Sequence, residues 1–171
     1  MDYLPTSPDG LTIRKALPSD IPQIQHMILT AFTKYIPRIG KPPAPMTANY
    51  HRLLTSHDIF TLQPDTSPHG SPNHVVGSIV LRADMDSKVM HINNLVVDPE
   101  AQGRGFGKVL LKYAEDWAAV KACTVMALYT NVKMFENFGL YARLGYEEVD
   151  RKEEDGYERV YFRKELREAE V

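Results

Sequence analysis

The stretch PEAQGRGFGKVL, residues 99–110, places Gly103, Gly105 and Gly107 within five positions and runs at once into an apolar helical pattern. Glycine admits positive φ and leaves backbone N–H groups unobstructed, and the helix beyond adds unpaired amides at its positive end. A strand, a bare turn and a helix in that order suit an anion such as phosphate. The strand is supplied by VMHINNLVV (89–97), and the helix runs to about Val120. Two nucleotide patterns fail here. A P-loop needs glycine six positions before Lys108, where Gln102 stands, and Ser or Thr after it, where Val109 stands. The dinucleotide pattern G-x-G-x-x-G meets Lys108 if begun at Gly103 and Leu110 if begun at Gly105.

The rest of the chain reads as alternating elements. LTIRKA (11–16) alternates as a first strand, and PSDIPQIQHMILTAFTKYI follows as a helix with Asp20 as N-cap and apolar residues at 21, 24, 28, 31 and 35. Prolines through Pro45 predict an ordered loop leading into a short second helix. IFTL (59–62) and HVVGSIVLRAD (74–84) read as strands around an exposed, mobile loop, QPDTSPHGSPN. TVMALYT (124–130) is a further strand. KMFENFGLYARLG predicts a helix closed by Gly145 at C′, and strands over 146–152 and 158–164 form a hairpin around EEDG.

At 171 residues and 43% hydrophobic content the chain closes one core, read as a single domain over 11–166 with a leader (1–10) and a tail (167–171). A net charge of −2 lacks the basic footprint of a nucleic-acid reader. The single cysteine, Cys123, forms no internal disulfide and sits in an apolar run, which predicts a buried thiol and a reducing, cytoplasmic setting. MDYLPTSPDG is no signal peptide, and no stretch approaches the ~18 apolar residues of a membrane span, so a soluble protein with no membrane partner is expected. The six histidines are scattered, and no metal is expected.

Gln102, Gly105 and Gly107 form Q-x-x-G-x-G after the strand and turn NLVVDPEA, and in MFENFGLYARLGY Asn137 stands four residues before Tyr141, which precedes x-R-L-G-Y. On these two motifs and the element order, the chain resembles the GNAT superfamily of acyl-CoA-dependent N-acyltransferases over nearly its whole length. The resemblance implies an α/β (α+β) fold: a mixed, mostly antiparallel twisted sheet of about seven strands, splayed at its centre and flanked by about four helices. It implies acetyl-CoA as co-substrate, its pantetheine arm along Leu95, Val96 and Val97 and its diphosphate on the amides of Gln102, Gly103, Arg104, Gly105, Phe106, Gly107 and Lys108. Arg104 and Lys108 add charge there, and Asn137 is implied as a further coenzyme contact, with Asn131 a weaker one.

Acetyl transfer to an amine needs a neutral nucleophile, stabilisation of an oxyanion and a proton for the departing thiolate. The resemblance places Tyr141 near the sulfur as general acid, and a phenol of ordinary pKa about 10 holds its proton at pH 7. It gives the oxyanion to the Val97 N–H. Relatives often carry Glu where Asn93 stands, and an amide accepts no proton. His91, two residues earlier and so on the same side of a regular strand, is the alternative base. An amine deprotonated through ordered water needs none. The acceptor, a primary amine of a small molecule or peptide, is expected against TKYIPRIGKPPAPMTANY, where Tyr35, Arg38, Met46 and Tyr50 offer aromatic surface and a cation able to hold a carboxylate. The competing reading is a non-catalytic acyl-CoA-binding or sensing module, and a homodimer stays open.

Overall fold

The computed structural model describes residues 2–66 and 74–167. Seven strands form one sheet in the order β1-β2-β3-β4-β5-β7-β6. They are β1 (Leu11–Lys15), β2 (Asp58–Pro64), β3 (Gly77–Asp84), β4 (Val89–Val97), β5 (Val125–Asn131), β6 (Glu147–Glu154) and β7 (Tyr157–Glu165). Every neighbouring pair is antiparallel except β4 and β5, which run parallel through the crossover helix between them.

The helices are α1 (Ile21–Phe32), α2 (Ile36–Ile39), α3 (Ala44–Thr47), α4 (Tyr50–Ser56), α5 (Phe106–Val120) and α6 (Phe138–Arg143). The four expected helices are thus joined, among the described residues, by two short ones of four residues each. Alternation along the strands divides the core by sheet face. Phe60, Leu62, Met90 and Ile92 pack with Leu110, Trp117 and Tyr141 of α5 and α6, whereas Ile59, Val80 and Val96 pack with Ile21, Ile24 and Ile28 of α1 and Tyr50 of α4. The apolar positions read for α1, Ile21, Ile24, Ile28, Ala31 and Tyr35, are all buried.

Several local expectations change. Asp20 does not cap α1 with its side chain. It is 4% exposed, accepts two hydrogen bonds from Arg14 at 2.7 and 3.0 Å and a third from the Leu17 N–H at 2.7 Å. A buried carboxylate needs a counterion, and the β1 arginine is the stronger partner; the Arg14 hydrogen bond, outweighing burial, holds Asp20 below the usual carboxylate range. Strand β2 extends through Gln63 and Pro64, and residues 67–73 of the expected loop lie outside the described residues. The helix read over 133–145 is a 3-10 turn, Phe135–Asn137, followed by α6. The chain first turns at Asn131, whose side chain accepts from the Lys133 N–H at 2.9 Å and whose carbonyl accepts from Met134 N–H at 2.9 Å, so helix cannot begin earlier. The last hairpin pairs out to Glu154 and Tyr157, leaving a two-residue turn with Asp155 and Gly156 both at positive φ. Among the described residues no helix is long and apolar enough to cross a membrane.

Candidate active site

The site arises where two parallel strands part. β4 and β5 pair from Val89–Val125 to Ile92–Leu128 and no further, although β4 continues to Val97 and β5 to Asn131. A bulge begins the separation. On the β3 side Leu81 opposes Ile92 while Val80 opposes Asn94, which leaves Asn93 as the extra residue. The bulge also resets the alternation. Met90 and Ile92 share a core with Leu95 and Val97, so His91 and Asn94 occupy the opposite face at a spacing of three.

A cavity of about 220 Å³ runs through this parting, with walls from both faces of the sheet. Leu111, Tyr141 and Asn137 line it on the α5–α6 side, and Phe32, Tyr50, Leu53 and the start of α3 from Pro43 to Pro45 on the other. Ile92, Asn93, Asn94 and Leu95 of β4 face Leu128 to Asn131 of β5 across it. The wall carries polar side chains but, among the described residues, one formally charged group, Arg159.

Tyr141 is fixed by the end of its own helix. Gly145, at φ +90°, allows the Tyr146 N–H to bond the Tyr141 carbonyl at 2.9 Å and its own N–H to bond the Ala142 carbonyl at 3.1 Å. This paired closure brings Tyr146 against Tyr141, ring centroids 6.1 Å apart, with Phe162 on the phenol's other flank at 5.4 Å. Burial, then the nearby Tyr35, pushes the Tyr141 hydroxyl up to about 12, so it keeps its proton throughout the neutral range.

The glycine turn follows the free end of β4. Gly103 and Gly105 have φ of +82° and +80°, and a Cβ at either would meet nothing within 4 Å. Gly105 is the N-cap of α5 and no side chain caps that helix, so the first-turn amides of Phe106, Gly107 and Lys108 have no intrahelical partner. Gln102 ties the turn to the strand, its side-chain amide donating to the Val97 carbonyl at 3.2 Å.

Other expected residues are placed apart from the cavity. His91 lies opposite Arg82 and is not on the cavity wall; burial, then Arg82, holds it below the usual imidazole value. Arg38 pairs with Glu136 at 2.5 Å and donates to the Lys133 carbonyl at 3.2 Å, with Tyr35 and Phe135 under its guanidinium at 5.2 and 5.1 Å. It therefore braces α2 against the 3-10 turn that precedes α6, and neither it nor Tyr35 lines the cavity. Tyr50 does: its hydroxyl donates to the Pro45 carbonyl at 3.2 Å and accepts from the Asn94 amide at 3.0 Å, and burial raises its pKa. Met46 lines a smaller neighbouring cavity with Tyr50 and Leu29.

Sequence reasoning missed the β7 wall. Val160 and Phe162 enter the α5–α6 core, so Tyr157 and Arg159 point from the opposite face, and both line the cavity with Tyr129. The alternation in YERVYF was readable. That its second face would be covered was not. The cover is the loop before α3: the Tyr157 hydroxyl donates to the Pro42 carbonyl at 2.7 Å, Lys41 donates to the Gly156 carbonyl at 2.6 Å, and its ammonium sits 4.0 Å from the Tyr157 ring.

The family model of the acetyltransferase (GNAT) family matches residues 24–146. Solved structures share the fold at low identity. The ribosomal-protein-S18-alanine N-acetyltransferase from Escherichia coli is similar at 16% identity and a TM-score of 0.68, covering 94% of this chain and 96% of its own. A GNAT family acetyltransferase from Elizabethkingia anophelis with acetyl-CoA bound is 20% identical, TM-score 0.64, over 93% of this chain and all of its own (100%). The PaiA N-acetyltransferase from Thermoplasma acidophilum, in complex with coenzyme A, is 16% identical with a TM-score of 0.68 over 91% and 99%. The family model spans well over half of the sequence, and the chain belongs to the acetyltransferase (GNAT) family.

Proposed function

We propose that the protein moves the acetyl group of acetyl-CoA directly to a primary amine of a small molecule or peptide. One juxtaposition carries the reading: the β4–β5 parting, with Tyr141 and Asn137 in its wall, lies next to an uncapped glycine turn at the end of the same strand. The turn fits the coenzyme because its glycines leave open space where side chains would stand. Solved neighbours carrying acetyl-CoA and coenzyme A support the choice of co-substrate.

Acetyl-CoA supplies an activated thioester. The chain supplies the rest. The amides from Gln102 to Lys108 hold the diphosphate, assisted by the exposed side chains of Arg104 and Lys108. Leu95, Val96 and Val97, unpaired on the side facing β5, take the pantetheine amides as an added strand, and the Val97 N–H is assigned to the carbonyl oxygen. Asn137 orients the coenzyme from the cavity wall. Tyr141 delivers its hydroxyl proton to the departing sulfur. No carboxylate stands at Asn93, and His91 lies off the wall, so the amine's proton leaves through water without a dedicated side-chain base.

The test is calorimetric titration with acetyl-CoA, coenzyme A and ATP, followed by thiol release across a panel of amines. Coenzyme binding without ATP binding, turnover on at least one amine, and a fall in kcat of about 100-fold in Tyr141→Phe with coenzyme affinity retained are expected. Binding with no turnover on any amine would make the protein an acyl-CoA-binding module, and no binding would remove the proposal.

A further inference from the structure

The cavity's charge inventory points to the acceptor. Among the described residues its wall holds no Asp, Glu, Lys or His, and Arg159 is its one charged side chain. Arg159 is 6% exposed. It lies on the face of β7 opposite the α5–α6 core that receives Val160 and Phe162, hence across the sheet from the glycine turn and its helix. A coenzyme diphosphate at that turn does not reach it.

A buried guanidinium normally has close, well-aligned carboxylates. Arg159 does not. Its acidic neighbours are Asp155 at 3.4 Å and Glu154 at 3.7 Å, beyond the roughly 2.7–2.9 Å of a charge-assisted hydrogen bond. Both sit at the hairpin tip, with side chains 77% and 46% exposed, and Glu154 also accepts from the Tyr161 hydroxyl. The guanidinium also donates a hydrogen bond to the Tyr161 hydroxyl, and aromatic faces add to the support, Tyr129 at 4.2 Å and Tyr157 at 5.9 Å. The planar fork is thus desolvated, oriented by stacking and held by loose, water-screened partners that an incoming carboxylate can replace bidentately.

We propose that Arg159 makes the cavity select an amine that also bears a carboxylate, an amino acid or a compound built like one, over polyamines and uncharged amines. This rests on the acetyltransferase reading and names the acceptor class of the same site. A protonated polyamine finds no carboxylate on the wall and meets a fixed positive charge.

Matched substrates test it: an α-amino acid, its carboxamide, the corresponding decarboxylated amine, and spermidine, each with saturating acetyl-CoA. The acid is expected to exceed its carboxamide in kcat/KM by about tenfold or more. Arg159→Gln should erase that preference by raising KM for the acid while KM for acetyl-CoA stays put, and Arg159→Lys should restore part of it. Should Arg159→Gln fail to fold, Asp155→Asn at the exposed tip loosens the competing partner and is expected to lower KM for the acid roughly twofold to fivefold. Equal rates on acid and carboxamide, a preference for spermidine, or an Arg159→Gln effect confined to acetyl-CoA would overturn the inference and leave the transferase intact. Absence of acetyl-CoA binding would bring down both.

Discussion

Gly145 acts on the buried Tyr141 phenol from four residues away, because its positive φ permits the double hydrogen bond that presses Tyr146 onto Tyr141. A Cβ there meets only the Lys164 side chain at ordinary contact distance, 3.5 Å, so the cost of Gly145→Ala is backbone strain of about 1–2 kcal/mol. We expect a few degrees off Tm and a fall in kcat smaller than that of Tyr141→Phe, with Gly145→Asn, which tolerates the left-handed region, recovering part of both. Scanning calorimetry beside steady-state kinetics separates the two effects. At this scale Tyr141, Asn137 and Tyr50 were legible as residues and reach the cavity wall. Arg38 was read as a free cation because its partner, Glu136, is far away in sequence, and Arg159 was passed over for the converse reason: a strand arginine ordinarily meets solvent.

Helix α5 begins on a residue that no side chain caps, and its stability comes instead from the apolar stripe of Leu110, Ala114 and Trp117 against the sheet. The start of the helix is therefore available for binding without being needed for folding. Gly105→Ala introduces a Cβ that touches nothing in the protein but stands where a ligand's phosphates would lie, and φ +80° is strained for alanine. The expected result is a modest loss of Tm with a rise in the acetyl-CoA Kd of tenfold or so, larger than the strain alone explains. Equal binding by mutant and parent in a titration would remove the turn from the coenzyme site. Elements were read well where apolar spacing ran long, as in α1, β4 and α5. They were read poorly where a local side chain decides. Asn131 delays the helix that carries Tyr141, and the bulge at Asn93, unmarked by glycine or proline, shifts His91 out of the expected phase.

The molecule as a whole stores several phenols in its core. Tyr50, Tyr113, Tyr141 and Tyr146 are all buried, and burial is the leading cause that lifts each above the ordinary phenol value, Tyr113 and Tyr141 to about 12. Unfolded phenols lose their protons near pH 10 while the folded ones keep theirs. Above that point the unfolded chain binds fewer protons, so stability falls as pH rises from about 10 towards 12. Thermal unfolding should be level from pH 7 to 9 and drop steeply past 10. Tyr113→Phe, which deletes a buried hydroxyl with no partner among the described residues, should soften the drop and cost little at pH 7.

The strand and helix order, with its crossover at the glycine turn, was legible across the chain, since each element announces itself within a dozen residues or so. Closure of the cavity was not, because Lys41 and Tyr157 find their partners 115 positions away in the chain. During synthesis that distance becomes time. Residues 41–43 leave the ribosome long before the hairpin tip that fastens over them, and at some 5–20 residues per second the chamber stands unroofed for several seconds. Nascent chains halted before Tyr157 would present that apolar hollow to chaperones, whereas those carried past Glu165 would hold all of the strand that shuts it.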